Sequence, residues 1–435
     1  MERFITKDLI KWKNSEYRKP LILRGARQVG KTYIIKDFAS KYYDDLAYFN
    51  FDHDKDLYQL FYNTKDPKRI LEQLSLIYGK AIKPGSTLIF FDEVQECPDA
   101  LNSLKYFNEE MNEFHIIAAG SLLGIRLSKT SFPVGKVDYL DLKPMSFSEF
   151  LIADDSLSLV EYMKSFKRIE KLEDIFFNKL NEKLKAYFIV GGMPEVVLSW
   201  VKEKDIERVN EIQKNIVISY EEDFSKHMTD VEATKASLVW NSIPSQLARE
   251  NKKFLYGVIK EGARAREYEE ALNWLNSANL IYKVYNITTP NLPLKAYEDL
   301  SSFKIYMMDT GLLRKLSELD SSIIKKGNQL YSEFKGSLTE NYILQSLSSY
   351  LEVIPHYYSR PRSEIDFIIC RKNEIIPIEV KSGLSTNNKS LTKYNEEQKP
   401  NIMIRFSMNN LNKDGNILNI PLFMSEYLEQ LLEIL

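Results

Sequence analysis

The sequence predicts an α/β fold, with a parallel sheet in its first 150 residues and further domains after it. Three observations carry that expectation. Strand-like and helix-like segments alternate from the start of the chain to about residue 150. The strand-like runs are continuously apolar, as in sheets covered on both faces. One of them leads through a loop with two glycines, RGARQVGKTY (24–33), straight into a helical pattern.

The elements follow in order. PLILRG reads as a short apolar strand, and KTYIIKDFASKYY has helical spacing. LAYFNFD is a second strand, and PKRILEQLSLIYGKAI is an amphipathic helix that stops before Pro84-Gly85. STLIFFDEVQ is a buried strand, ALNSLKYFNEEMNE a helix, and FHIIAAGSLLG a further buried strand.

The glycine loop has a chemical reading in that context. Gly25 to Thr32 fits G-x-x-x-x-G-K-[ST], after a strand and before a helix. Gly25 and Gly30 permit backbone angles that other residues resist. With Ala26, Arg27, Gln28 and Val29 they would form a cradle whose N–H groups face phosphates. Lys31 would reach the β- and γ-phosphates of ATP, and Thr32 would ligate Mg²⁺. The strand TLIFFDEVQ supports this by ending in Asp92-Glu93. Acids at the end of a buried strand are costly unless they bind something, and open α/β sheets bind ligands at the carboxyl ends of their strands. Asp92 would share the Mg²⁺, and Glu93 would polarise the attacking water. Ser121, at the end of HIIAAGS, is placed to read the γ-phosphate or simply to end a strand.

Composition excludes several classes. The 435 residues suggest about three domains. A hydrophobic fraction of 44% and a charged fraction of 28% suit globular domains with sizeable cores. The net charge of -2 gives no whole-chain field toward nucleic acid or membrane, so such contact requires a local patch. Two cysteines, Cys97 and Cys370, form no disulfide framework and predict a reducing cytoplasm. MERFITKDLIKWK lacks the apolar core of a signal peptide. The longest charge-free run, Ala236 to Ala248, is 13 residues and too short to span a bilayer. The four histidines show no zinc-type spacing.

Beyond the loop and the acidic strand, the chain carries AAGSLLG, FPVGKV, LKPMSFSEF, VGGMP, EGARAREYEEALNWLNSANLI, MMDTGLL, EIDFII and IPIEVKSG. With LILRGARQVGKT and TLIFFDEVQ, this set resembles the prokaryotic AAA+ ATPases with an appended DUF4143 domain, over almost the whole chain. The resemblance implies a P-loop AAA+ core with a parallel sheet (1–150), a helical lid (151–225), a winged-helix-like domain (226–325) and a restriction-endonuclease-like α/β domain (326–435). Lys136 in FPVGKV stands where the family usually carries arginine, which weakens an arginine-finger role there. Arg126 is the alternative. In VGGMP, Pro194 either marks a helix boundary or, as the resemblance suggests, lies against the adenine ring.

Two later segments complete the prediction. SLVWNSIPSQLARE, FLYGVI and AREYEEALNWLNSANLI read as three helices, followed by strands IYKVYNI and KIYMMDT, the order of a winged helix. Arg249 to Arg266 holds six basic and two acidic residues, so this segment is either a DNA contact or a solvated face. Near the carboxyl terminus, Glu340 on a helix precedes Asp366 in EIDFIIC and Glu379-x-Lys381 in IIPIEVKSG. Side chains alternate along a strand, so Glu379 and Lys381 share a face. The arrangement resembles the PD-(D/E)xK nucleases. It implies a second divalent metal on Asp366 and Glu379, with Lys381 orienting the nucleophile and Glu340 assisting. ATP, DNA or RNA and further copies of the chain are the expected partners, without a membrane. An ATP-dependent signalling switch, with an inactive nuclease-like module, is the alternative.

Overall fold

The computed structural model describes residues 1–120, 135–249, 252–321, 332–351, 354–361, 363–384 and 389–435. The chain divides into two compact units, Met1–Lys143 with Ser277–Asn279, and Pro144–Asn276 with Leu280–Leu435.

Among its described residues the first unit holds five strands: β1 (Leu21–Arg24), β2 (Asp45–Asn50), β3 (Thr87–Asp92), β4 (His115–Ala119) and β5 (Asp138–Asp141). They are all parallel, in the order β2-β3-β4-β1-β5. Every residue of β3 and β4 is buried, which explains their uninterrupted apolar sequences. β5 is an edge strand with no buried residue, so its sequence carries no apolar run. The connecting helices include α1 (Thr6–Asn14), α2 (Lys31–Tyr42), α3 (Leu57–Asn63), α4 (Pro67–Tyr78) and α5 (Pro98–Glu110). The stop of α4 is local chemistry: Gly79 caps it in the left-handed region at φ 77°. Phe91 of β3 meets Phe51 and Phe61 edge-on at ring separations of 5.6 and 5.5 Å, fixing the core beneath α3. β1 lies between β4 and β5, so the winding reverses there. In open α/β sheets that crevice, at the carboxyl ends of the strands, is where ligands bind.

The second unit begins with helices, among them Asp174–Val190, Ile206–His227 and Asp230–Leu247. An eight-stranded mixed sheet follows: β6 (Ile281–Ile287), β7 (Glu298–Met307), β8 (His356–Arg360), β9 (Ser363–Arg371), β10 (Glu374–Val380), β11 (Met403–Ser407), β12 (Asn412–Asp414) and β13 (Ile417–Pro421). Its order is β12-β13-β11-β10-β9-β8-β6-β7. The β6–β7 hairpin, expected within a winged helix, joins the carboxyl-terminal sheet through the pair Asn286↔Tyr357. Of the three helices expected before it, FLYGVI contributes one short turn, Tyr256–Ile259. The helix Ser332–Tyr350 is buried all round from Ser337 to Ser348, as suits a core helix.

VGGMP and MMDTGLL meet inside this unit. Asp309 caps the helix Thr310–Leu316, accepting from Leu312 N at 2.9 Å, and its other oxygen accepts from Gly192 N at 2.6 Å. Burial pushes the Asp309 carboxyl up, and these N–H donors oppose that shift. Gly191 adopts φ 72°, and a Cβ there would lie 2.3 Å from Asp309 Oδ1. Only glycine fits this approach.

Candidate functional site

The loop between β1 and α2 has the backbone its sequence demands. Gly25 adopts φ 152° and Gly30 φ 95°, and Gln28 also takes a positive φ of 63°. A Cβ on Gly25 would sit 2.3 Å from Leu142 O, so the residue must lack a side chain. Gly30 is the N-cap of α2, which leaves the first N–H groups of that helix for an anion. Lys31 is buried, and its Nζ donates to Gly25 O at 2.9 Å and to Ala26 O at 2.8 Å. Burial pushes its ammonium down to about 8, against the pull of Glu93 and Asp92.

β3 delivers the acids to the same place. Thr32 Oγ1 donates to Asp92 Oδ2 at 2.8 Å, which joins the two motifs across 60 residues of chain. Tyr48 OH donates to the same oxygen at 3.0 Å, and Asn50 Nδ2 donates to Tyr48 OH at 3.1 Å. The pair Asn50↔Asp92 of the β2–β3 register accounts for this alignment. Glu93 follows at φ 51°, ψ 41°, and accepts from Gln95 Nε2 at 2.6 Å. The donor set suits a hard cation, since a hydroxyl and a carboxylate converge on one point. It also suits a phosphate, since Gly30 leaves the first N–H groups of α2 free of a side-chain cap.

Sequence reasoning missed four residues here. Arg3 clamps the loop from α1's side, donating to Val29 O at 3.1 Å and to Lys143 O at 2.6 Å. Tyr48, Asn50 and Gln95 orient the acids. Alternation along β2 places Tyr48 and Asn50 on one face, a signal that was present in LAYFNFD. Ser121 and Arg126 lie outside the described residues. Lys136 pairs with Glu109 at 3.0 Å. Pro194 opens the helix Pro194–Glu203 as its first residue, in the second unit.

The carboxyl-terminal acids are gathered, but each has a partner from this chain. Glu340 pairs with Lys252 Nζ and accepts from Tyr306 OH at 3.1 Å. Burial alone would push the Glu340 carboxyl up, but Lys252 and Lys304 hold it below its ordinary value. Asp366 Oδ2 accepts from Val380 N at 2.7 Å. Burial, with Glu340 beside it, pushes the Asp366 carboxyl up to about 8. Lys304 is fully buried and pairs with Glu364 at 2.5 Å. Glu379 pairs with Lys381, while its Oε2 is buried without a hydrogen-bond partner. Among the described residues no group of three His, Cys, Asp or Glu side chains is placed to hold a metal ion. Lys252 lies against Glu340, Lys304 against Glu364 and Lys381 against Glu379. Lys252 and Lys304 were not foreseen, because nothing local in the sequence ties them to acids 88 and 60 residues away. No described helix is long and apolar enough to cross a membrane.

Three families match this chain. The AAA domain matches residues 17–151, the domain of unknown function DUF8612 residues 181–323, and the domain of unknown function DUF4143 residues 335–423. No curated protein matches. Among solved structures, a Walker-type ATPase of Pyrococcus abyssi is 14% identical, covering 72% of this chain and 94% of its own at a TM-score of 0.43. The RuvB Holliday junction branch migration motor of Thermotoga maritima is 15% identical, covering 68% and 94% at a TM-score of 0.31. Cdc6p from Pyrobaculum aerophilum is 13% identical, covering 74% and 93% at a TM-score of 0.26. With β1 and its glycine loop inside the first matched segment and β8 to β13 inside the last, the chain carries an AAA domain followed by a carboxyl-terminal DUF4143 domain.

Proposed function

We propose that this protein is a Mg²⁺-dependent ATPase whose site is the crevice at the carboxyl ends of β1 and β3. The contact of Thr32 Oγ1 with Asp92 Oδ2 at 2.8 Å carries this reading, because it brings the loop hydroxyl and the strand-end acid to one point. The N–H groups from Gly25 to Thr32 would cradle the phosphates, with Ala26, Arg27, Gln28 and Val29 completing the loop. Thr32 and Asp92 would hold Mg²⁺, which neutralises developing charge when bound. Lys31 would leave its two loop carbonyls for the β- and γ-phosphates. Glu93 would accept the proton of the attacking water. Ser121 and Pro194 are the proposed contacts to the γ-phosphate and the adenine. Phosphate release from ATP and Mg²⁺ tests the reading. Lys31→Ala is expected to lose nucleotide affinity, and Glu93→Gln to keep affinity but lose turnover by about 10²–10⁴-fold. Wild-type turnover in both variants would refute it.

The second domain is proposed to convert that cycle into contact with a partner. Lys260, Arg264 and Arg266 are exposed, which favours a nucleic-acid backbone as that partner. Cleavage by Glu340, Asp366, Glu379 and Lys381 around a second metal is the weaker reading, because Lys252 and Lys381 already neutralise two of the acids. The stronger reading makes the DUF4143 domain a binding module. Incubating the protein with Mn²⁺ and a panel of DNA and RNA tests it: cleavage lost in Asp366→Ala would restore the nuclease.

A further inference from the structure

Glu93 stands in a backbone conformation that a glutamate seldom adopts. Its φ of 51° and ψ of 41° lie in the left-handed region, a strain that the surroundings must offset. Three local contacts hold it there. Glu93 N donates to Asp92 Oδ1 at 3.1 Å, Glu96 N donates to Glu93 O at 3.0 Å, and Cys97 N donates to Val94 O at 3.0 Å. Val94 is fully buried, so the turn Val94–Glu96 is pinned beneath the crevice. None of these contacts orients the Glu93 side chain. Gln95 does, donating from Nε2 to Glu93 Oε2 at 2.6 Å, and Gln95 is itself only 5% exposed.

We propose that Gln95 is a positioning residue for ATP hydrolysis, its side-chain amide holding the Glu93 carboxylate in the orientation from which it takes a proton from water. This rests on the reading of Glu93 as the proton acceptor. In the step itself, the oxygen of water bonds to the γ-phosphorus while the bond from that phosphorus to its bridging oxygen breaks. ADP departs with the electron pair, and the proton of water passes to Glu93. With Oε2 held by the amide, Oε1 is the oxygen that receives it. Glutamine suits the position for two reasons. Its N–H donates to a carboxylate without adding charge beside Mg²⁺ and Lys31. Its burial leaves little rotamer freedom, so the carboxylate inherits a fixed direction. A glutamate of the same shape at this position would offer no such donor to an ionised Glu93.

Steady-state hydrolysis with ATP and Mg²⁺ on the full chain tests this, with calorimetric nucleotide binding and thermal unfolding measured alongside. Gln95→Ala and the near-isosteric Gln95→Glu are expected to lower kcat by about 10- to 100-fold with KM changed less than about twofold. Gln95→Asn, which keeps the donor on a shorter stem, is expected to fall between. The double variant Glu93→Gln with Gln95→Ala is expected to be no slower than Glu93→Gln alone, since both act through one group. If Gln95→Ala does not fold, Gln95→Glu carries the test, because it preserves the packing. A wild-type kcat in Gln95→Glu, or losses that multiply in the double variant, would overturn the proposal and leave Glu93 in its role. Wild-type turnover in Glu93→Gln would instead remove the reading beneath it, and the proposal with it.

Discussion

Lys252 Nζ and Glu340 Oε1 form an ion pair between residues 88 positions apart, with side chains only 14% and 8% exposed. Breaking such a pair from one side strands a buried charge, at about 3–5 kcal/mol. Lys252→Met is therefore expected to be strongly destabilised. Adding Glu340→Leu is expected to recover much of the loss, apart from the hydrogen bond that Tyr306 then forfeits. Urea unfolding of the two single variants and the double variant measures this. A loss in the double variant equal to the sum of the two single losses would mean that the pair carries no coupling.

A second expectation concerns the exposed basic residues. Arg264→Glu with Arg266→Glu is expected to weaken duplex DNA binding and to flatten its salt dependence, since fewer counterions are released. The two side chains sit at the start of the helix Ala265–Ser277, where Arg264 N also donates to Glu267 Oε2 at 3.1 Å. Gel-shift titrations across a salt series check it. Unchanged affinity at low salt would leave the cluster a solvated face.

Gly191→Ala is expected to cost about 3 kcal/mol, from the positive φ and from a Cβ placed 2.3 Å from Asp309 Oδ1. A thermal melt is sufficient. A variant as stable as the parent would mean that Asp309 shifts freely, contrary to its caps on Gly192 N and Leu312 N.

His115 supplies a pH dependence. Its Nδ1 lies 2.7 Å from Tyr43 OH, and burial, with Arg18 and Lys13 nearby, pushes its pKa from 6.5 down to about 4. The folded chain therefore resists a proton that the unfolded chain accepts. Stability is full above pH 6.5 and declines as pH falls from 6.5 toward 4, with a slope of up to one proton. His115→Gln is expected to flatten that part of the stability profile, as read by denaturant midpoints at each pH.

The parallel core was legible because β3 and β4 bury every residue, so burial is written directly as apolar runs. β5 was not, because an edge strand with the pattern DYLD resembles a loop. The phosphate cradle was legible because its glycines are required by local backbone geometry. Arg3 and Gln95 were not, because one acts across 26 residues and the other is an ordinary turn residue until its donor is seen. Glu340, Asp366 and Glu379 were marked as a group. The pairing of Glu340 with Lys252 was invisible, because tertiary structure alone brings the two together.

The sheet that runs from β7 to β12 also limits how this chain can be dissected. β6 and β7 come from before the DUF4143 segment, yet β6 borders β8 within it. A fragment beginning at residue 335 would present β8 as a bare rim, with its amide and carbonyl groups open to strands of other molecules. Such a fragment is expected to self-associate or precipitate, whereas one beginning before Ile281 keeps the rim sealed. The practical frontier for a soluble carboxyl-terminal piece therefore lies upstream of the hairpin, well outside the boundary that family matching would draw.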